Sequence, residues 1–479
     1  MKPLRLALIA GVSLIATAAC AVGPRYQAPS TPPVAVINAA PEIASAAEPQ
    51  AAWWAAFGDP VLDDLVRQAL TRNADLQVAA ANLAKARATL QEARAGRFPT
   101  TQVEASAIYG KSATANLLAG LEGTRARAGW YYDGAFDASY EVDLFGRISS
   151  AIRAARADAE AVRAAQDVAR VSVAAETARA YADACAYAAE LDTARRSLAA
   201  AQDLYDLTVR RRTLGAVSDF EVASAGATLE QARGATPTLD GEWRSSLFEL
   251  AVLTGRPPEE VSAEAAACRA PPRLSRLLPV GDGSAMLRRR PDVRQAERTA
   301  AADVARIGVA MADLFPKVSL TGTAAQGGAN GKQLTSSTGF SFGVGPLITW
   351  SFPNLLTAAA QLGEARAQAS ASIARFDSVV LNALKETEQA LTAYNGELQR
   401  RAALAAARDH AAEAYRLAQV QFDNGAISFP DLLATERIMI QAEAELAASD
   451  QALVSDQVSV FKALGGGWED APQAVAPKA

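Results

Sequence analysis

The chain has 479 residues, of which 50% are hydrophobic but only 6% aromatic, a balance suited to Ala-rich helices in close contact rather than to bulky globular cores. Its 47 Lys and Arg against 52 Asp and Glu give a formal net charge of −5, which leaves no basic footprint for nucleic acid. A single histidine, His410, and three cysteines leave little material for histidine catalysis or a Cys/His metal site, and no cofactor is expected.

The first expected element is an export signal over residues 1–19. Lys2 and Arg5 supply its positive end, and residues 6–16 form an apolar run too short to span a bilayer. Thr17-Ala18-Ala19-Cys20 reads as a bacterial lipobox, cut before a cysteine that is then acylated with a palmitate-type chain. Thr17 stands where such motifs usually carry Leu; an ordinary cleaved signal with an incidental cysteine is the alternative. Ala21 follows, not an Asp that would favour inner-membrane retention. Residues 20–60 are expected to be a lipidated leader, rich in Pro and Ala. Beyond the signal there is no run of about 18 apolar residues, so any membrane crossing must use β-strands.

The rest of the chain is duplicated. Asn73-Ala74-Asp75-Leu76 matches Arg290-Pro291-Asp292-Val293, and Phe98-Pro99 matches Phe315-Pro316 at the same offset. Tyr205, Leu207, Gly215, Ala216, Ser218 and Gly255 match Tyr415, Leu417, Gly425, Ala426, Ser428 and Gly465 at a second constant offset. The copies span residues 61–270 and 271–468, with a disordered tail expected over 469–479. Each copy reads as a helix of roughly 35 residues stopped at the Phe-Pro, a β-hairpin (100–145 or 317–352), a long helix, a tip near 215 or 425, and a return helix.

The strands alternate with period two. Phe136, Ala138, Tyr140, Val142 and Leu144 interleave with Asp137, Ser139, Glu141 and Asp143. Val103, Ala105, Ala107 and Tyr109 interleave with Gln102, Glu104, Ser106 and Ile108; Val318, Leu320, Phe340, Phe342, Val344 and Ile348 continue the pattern in the second copy. Trp130, Tyr131, Tyr132, Trp350 and Phe352 suit aromatic girdles at strand ends. A soluble sheet with one wet face alternates identically, but an exported, lipid-anchored chain favours a barrel with lipid outside and a polar lumen. Four strands cannot close a barrel, since the smallest need about eight, so several subunits must each contribute four. The long helices, residues 147–212 and 355–423, would reach about 100 Å at ~1.5 Å per residue, enough to bridge a compartment. They lack the strict Leu/Ile seam of a solid coiled coil and can pack around a wet interior.

These residues resemble the outer-membrane factor family of tripartite efflux and type I secretion systems, a TolC-like superfamily, and within it the OprM/NodT-like lipoprotein branch. The resemblance covers nearly the whole mature chain. It rests on Cys20-Ala21-Val22-Gly23-Pro24-Arg25-Tyr26, Glu141-Val142-Asp143-Leu144-Phe145-Gly146-Arg147, Arg289-Arg290-Pro291-Asp292 and Ala463-Leu464-Gly465-Gly466-Gly467-Trp468. It implies a mainly α chain with a transmembrane β part: a homotrimer with a 12-stranded barrel in outer-membrane lipid, continued by a periplasmic α-helical barrel. It also implies a periplasmic membrane-fusion adaptor, an inner-membrane RND-type pump, passive conduction of drugs or other small toxic solutes, and no catalysis by the channel. Alternatives are a duct for type I protein secretion or metal-ion efflux or, in another class, a periplasmic coiled-coil adaptor, which would lack paired, aromatic-flanked strands in tandem copies.

Two turns are the sharpest site candidates: Leu214-Gly215-Ala216-Val217-Ser218 and Asn424-Gly425-Ala426-Ile427-Ser428. Gly can end one helix and Ser cap the next, but turn chemistry does not call for Val217 or Ile427, expected here as exposed apolar residues. The resemblance makes these turns the tips that meet the adaptor. It also places the periplasmic gate just after the second tip, where relatives read Leu-Leu-Asp-Ala-x-Arg and this chain reads Leu432-Leu433-Ala434-Thr435-Glu436-Arg437. Ala434 removes the usual carboxylate; Asp431 and Glu436 are candidate replacements, and a solvated helix face is the competing reading. Arg288-Arg289-Arg290-Pro291-Asp292 is more simply a helix entry than an anion site. The stretch 327–333 departs from a phosphate loop at Gln326 and Gln333 and is expected to be a flexible surface loop. Cys185 and Cys268 could pair in an oxidising periplasm, but with one mid-helix and the other in a connector, separate cysteines are the favoured reading.

Overall fold

The computed structural model describes residues 22–29, 36, 44–45, 47–111, 119–121, 123, 125, 127–274, 277–329, 331–353 and 355–466. Cys20, the expected signal, Gly467, Trp468 and the expected tail lie outside the described residues. In chain order the elements are β1 (Ala44–Ser45), α1 (Pro60–Arg72), α2 (Ala74–Ala95), β2 (Thr100–Gly110), β3 (Gly129–Val142), α3 (Arg147–Thr213), α4 (Asp219–Leu253) and α5 (Ala263–Ala266). Then come β4 (Leu278–Pro279), α6 (Gly283–Arg289), α7 (Pro291–Ala312), β5 (Lys317–Gly328), α8 (Gly331–Leu334), β6 (Phe340–Thr349), α9 (Leu356–Asp423) and α10 (Phe429–Ala463). Short 3-10 turns occupy Trp53–Phe57 and Ser337–Gly339.

The chain divides into two compact units. Unit 1 comprises Met1–Ala28, Lys85–Ala161 and Glu297–Arg375, and holds a four-stranded sheet in the order β2-β3-β5-β6. All three pairings are antiparallel, so each copy contributes a hairpin and β3 joins β5 across the duplication. In the helical part of this unit Asp303 is buried and accepts hydrogen bonds from Gln368 Nε2 at 3.1 Å and from Ser372 Oγ, with Arg306 as its ion-pair partner. Those bonds satisfy a carboxylate that would otherwise be costly to bury. The leader is threaded here: the Val22 amide donates to the Phe145 carbonyl at 3.1 Å, and the Tyr26 hydroxyl donates to Glu297 at 2.9 Å.

Unit 2, Pro29–Ala84, Val162–Ala296 and Phe376–Ala479, carries the larger apolar core. Helix α1 buries Leu62, Leu65, Val66, Ala69 and Leu70, the i, i+3, i+4, i+7, i+8 stripe of an amphipathic helix. Asp59 caps it, accepting from the Val61 and Leu62 amides, and Pro60 sits at its first position, where no amide donor is needed. Trp53 stacks on Phe461 with ring centroids 4.8 Å apart. Helix α3 lends this core Ala174, Ala178 and Ala184, small residues that let backbones approach closely.

Two expectations change. The single helix of roughly 35 residues expected before each hairpin is in fact two, broken at Asn73 and at Arg290. Both residues take extended backbone, with ψ of 132° and 121°. Their side chains then reach the far end of the return helix: Asn73 Nδ2 donates to the Leu253 carbonyl at 3.2 Å, and Arg290 donates to the Ala463 carbonyl at 2.8 Å. Those carbonyls are equivalent in the two copies, so the repeat preserves one device with two different side chains. Cys185 and Cys268 do pair, with Cα atoms 4.9 Å apart across a sequence separation of 83. The connector around α5 folds back onto buried Cys185 of α3, a proximity that position along the chain does not reveal.

Candidate functional site

The sheet separates its two faces by register. Directly paired residues share a face. Val103 lies opposite Phe136, Phe136 opposite Ala324, and Ala324 opposite Phe342. The same face carries Tyr109, Trp130, Tyr140, Val318, Leu320, Val344 and Ile348. Most of these side chains are exposed rather than covered: Val103 is 78% accessible, Phe342 77% and Val344 76%, with Val318 and Ala324 half-buried. One step along the register the other face carries Gln102, Glu104, Asp133, Asp137, Glu141, Ser319, Thr321 and Thr323. Ile108, Leu347, Ala135 and Ala325 are among its apolar exceptions. A half-covered soluble sheet would hide its apolar face; here that face is the bare one.

Aromatic residues gather at both ends of the apolar face. Tyr109 meets Trp130 at 5.5 Å, Trp130 stacks with Tyr132 at 6.2 Å, and Phe340 stacks with Phe342 at 6.1 Å. Past the other end Trp350 stacks with Phe352 at 4.8 Å, and its indole N–H donates to the Leu314 carbonyl at 3.2 Å. Tyr131, expected in the girdle, lies on the polar face over Gly327, because period two sends it opposite to Trp130 and Tyr132.

The Glu141–Arg147 motif makes the strand-to-helix junction. Gly146 has φ of 77°, Asp143 accepts from the Ile148 and Ser149 amides at 2.9 and 2.8 Å, and Arg147 forks onto Glu141. Phe145 stacks on Phe315 at 4.6 Å, joining the equivalent junctions of the two copies. The stretch expected as a flexible surface loop, 327–333, carries the end of β5 and α8 among its described residues, and side-chain bonds tie it down. Gln326 Nε2 donates to the Gln333 and Ser336 carbonyls at 2.8 and 3.0 Å, and the Gln333 side chain accepts from the Ala329 amide at 2.7 Å.

In unit 2 the two tips are built alike. Gly215 and Gly425 both have φ of 72°, a left-handed conformation that favours glycine. The Ala216 amide reaches back to the Arg211 carbonyl at 2.9 Å, and the Ala426 amide to the Gln421 carbonyl at 2.8 Å, closing each helix end with the same pair of bonds. The next helix begins at Ser218 or Ser428, whose amide and hydroxyl donate to Glu221 or Asp431. Leu214 and Asn424 precede the glycines; Asn424 Nδ2 donates to the Val420 carbonyl at 2.7 Å. Arg212 forks onto Asp219 across the first turn. Arg211 lies 5.3 Å over the Phe422 ring, and Phe422 meets Phe429 at 5.7 Å, so the two tips touch.

Two site expectations are corrected here. Val217 and Ile427 are half-buried; the apolar residues the first tip exposes are Leu214, at 82%, and Phe220, at 76%. The sequence signal that could have found Phe220 was its place at the second position of α4, too early in the helix for its core-facing stripe. Asp431 is not a free carboxylate: it is the cap of Ser428. Ala434 and Arg437 are exposed, and no partner for Arg437 exists within the chain among the described residues. Glu436 is half-buried; burial pushes its carboxyl above the ordinary range, and a hydrogen bond with Tyr415 partly offsets this. His410 is exposed on α9, and no cluster of metal-ligating side chains occurs among the described residues. Nor is any described helix long and apolar enough to cross a membrane.

Comparison with known proteins follows the same lines. Nodulation protein T of Rhizobium leguminosarum bv. trifolii is 28% identical over 467 residues, covering 95% of this chain and 96% of that protein. The pyoverdine export outer membrane protein OpmQ of Pseudomonas putida is 29% identical over 434 residues, covering 88% of this chain and 90% of its own. The solved outer-membrane channel OprN superposes with a TM-score of 0.86 at 33% identity, over 94% of this chain and 100% of that one. The family model for outer membrane efflux proteins matches residues 65–256 and 283–466, one segment in each copy. The bare apolar sheet face, the paired helical tips and these likenesses agree: the chain belongs to the outer membrane efflux protein family, and its place is the outer membrane.

Proposed function

We propose that the chain is the exit duct of a tripartite, RND-type efflux system, conducting drugs or other small toxic solutes passively to the exterior. The observation that carries this is the sheet of unit 1, with an exposed apolar face, a polar face and two unpaired edges, on β2 and β6. Edges left open in lipid cost several kcal/mol per unsatisfied backbone group, and pairing β6 with β2 of the next subunit satisfies them. Three copies make a twelve-stranded barrel; β2 and β6, of 11 and 10 residues, have the length that a tilted strand needs to cross a bilayer, about 9–11 residues.

Residues 1–19 serve as the signal, Cys20 as the acylated anchor in residues 20–60, residues 61–270 and 271–468 as the two copies, and 469–479 as a tail. Support for the anchor is the docking of Val22 at the strand-to-helix junction, where its amide donates to the Phe145 carbonyl. The tips at 214–218 and 424–428 meet a periplasmic adaptor, and residues 431–437 lie at the gate. Detergent-purified protein is expected to be a trimer by native mass spectrometry and to conduct ions in planar bilayers. A monodisperse monomer that retains its β signal would overturn the assembly.

A further inference from the structure

The gate reading leaves unexplained the groove on which Glu436 and Arg437 border. It lies wholly within unit 2, between α3, α4 and α10, and has a volume of about 340 Å³. That is the lower end of the range for sites that bury a small organic molecule. Its walls are apolar, from Leu239, Leu433 and Ile440, with alanines from all three helices between them. Its charged groups are Glu190, Glu436, Glu443 and Arg437, an excess of negative charge.

Glu190 is the telling residue. It is half-buried on α3, and among the described residues it has no hydrogen-bond or ion-pair partner. Burial alone pushes its carboxyl above the ordinary range, and no cation offsets it. Glu443 is likewise half-buried without a partner among the described residues, and Glu436 has only the Tyr415 hydroxyl. Carboxylates held this way are under-compensated, and a cation brought among them gains more than it would at an exposed surface.

We propose that this groove binds an organic cation: a compact aromatic or aliphatic body against Leu239, Leu433 and Ile440, with its positive charge between Glu190 and Glu436. The two requirements select the class. An inorganic cation makes no use of the apolar walls, and an anion meets three carboxylates. The proposal rests on the duct reading for its meaning, since it makes the helical wall a stopping point for cationic solutes rather than an inert surface.

The test uses ethidium, a flat aromatic cation, with the full chain in non-ionic detergent, followed by fluorescence anisotropy. Saturable binding is expected, weakened about tenfold by Glu190→Gln and by Glu436→Gln. Ala235→Trp, which fills the groove without touching a carboxylate, is expected to abolish it. The anionic aromatic probe anilinonaphthalene sulfonate is expected not to compete. Saturable binding that none of the three variants changes, or equal binding of the anionic probe, would overturn the proposal. So would absent binding together with disulfide cross-links between copies from Gln441→Cys, which would make the groove a subunit interface. Loss of ethidium binding with ion conductance intact removes the site alone, whereas a wild-type chain that does not conduct removes the duct.

Discussion

Arg290 shows how one side chain can hold a helix break in place. Its guanidinium is 7% exposed, forks onto Asp292 at 3.0 and 2.6 Å, meets Glu386 at 2.8 Å and donates to the Ala463 carbonyl at 2.8 Å. Burial opposes its charge, and the bonds to Asp292 and Glu386 more than restore it, so its pKa lies above the ordinary value. Removing it takes their charged donor from Asp292, Glu386 and the Ala463 carbonyl. Arg290→Ala is therefore expected to destabilise unit 2 by about 3–5 kcal/mol, read by denaturant unfolding. Asn73→Ala removes the neutral counterpart and should cost only about 1–2 kcal/mol. Equal losses from the two would mean that charge is not what distinguishes them. The alignment of the two copies made this pair visible in the sequence. The carbonyls they bind were not, because periodicity identifies a helix's face and not which distant helix end that face will meet.

The tips behave as elements, each a helix end and a helix start sharing one glycine. Their turn chemistry was legible because Gly and Ser have few other reasons to recur at matched positions. Burial was not: Val217 and Ile427 are half-buried, a degree of cover that pattern along a single helix cannot express. Under the proposed docking role, the contact with an adaptor falls on the exposed Leu214 and Phe220. Leu214→Asp with Phe220→Asp is expected to abolish drug resistance in a complemented deletion strain while leaving the trimer intact, and Val217→Asp to disturb the tip fold as well. Full resistance with the double variant would remove the docking role. Acid sensitivity belongs at this scale too. The Ser218 amide, and then its hydroxyl, hold Glu221 below the ordinary carboxylate range, and Arg212 does the same for Asp219. A depressed folded pKa stabilises above the unfolded value and is lost as pH falls through the folded one. The start of α4 should accordingly fray only as the pH falls below about 4.3, the ordinary Glu value. Amide hydrogen exchange at Val222 would show this, and protection unchanged down to the acid limit would count against it.

At the scale of the whole molecule, what was legible was the architecture and what was not was its electrostatics. Alternation in the strands and the constant offsets were enough to read a duplicated helix–hairpin–helix chain. At the second tip Asp431 has a local use as the capping partner of Ser428 that a motif comparison does not register. The register of the sheet instead moves attention to its polar face. Glu104 lies opposite Ala135, which places it diagonally between Asp133 and Asp137 on the neighbouring strand. Glu141 is matched by Arg147 and Lys317 by Asp313, so Glu104, Asp133 and Asp137 are the charges left over. In a trimer they repeat around one axis and face a common lumen, where like charges held by low-dielectric walls concentrate counter-ions. Because the Debye length is about 8 Å at physiological salt, a ring lining a narrow lumen still acts across much of its width. The wild-type channel is therefore expected to prefer cations in planar bilayers. Glu104→Gln with Asp133→Asn and Asp137→Asn should move the reversal potential under a salt gradient toward zero, while Arg437→Ala should change conductance far more than selectivity. If the triple variant keeps the wild-type reversal potential and Arg437→Ala shifts it, selectivity is set at the periplasmic end, and the polar face of the sheet is only wetted wall.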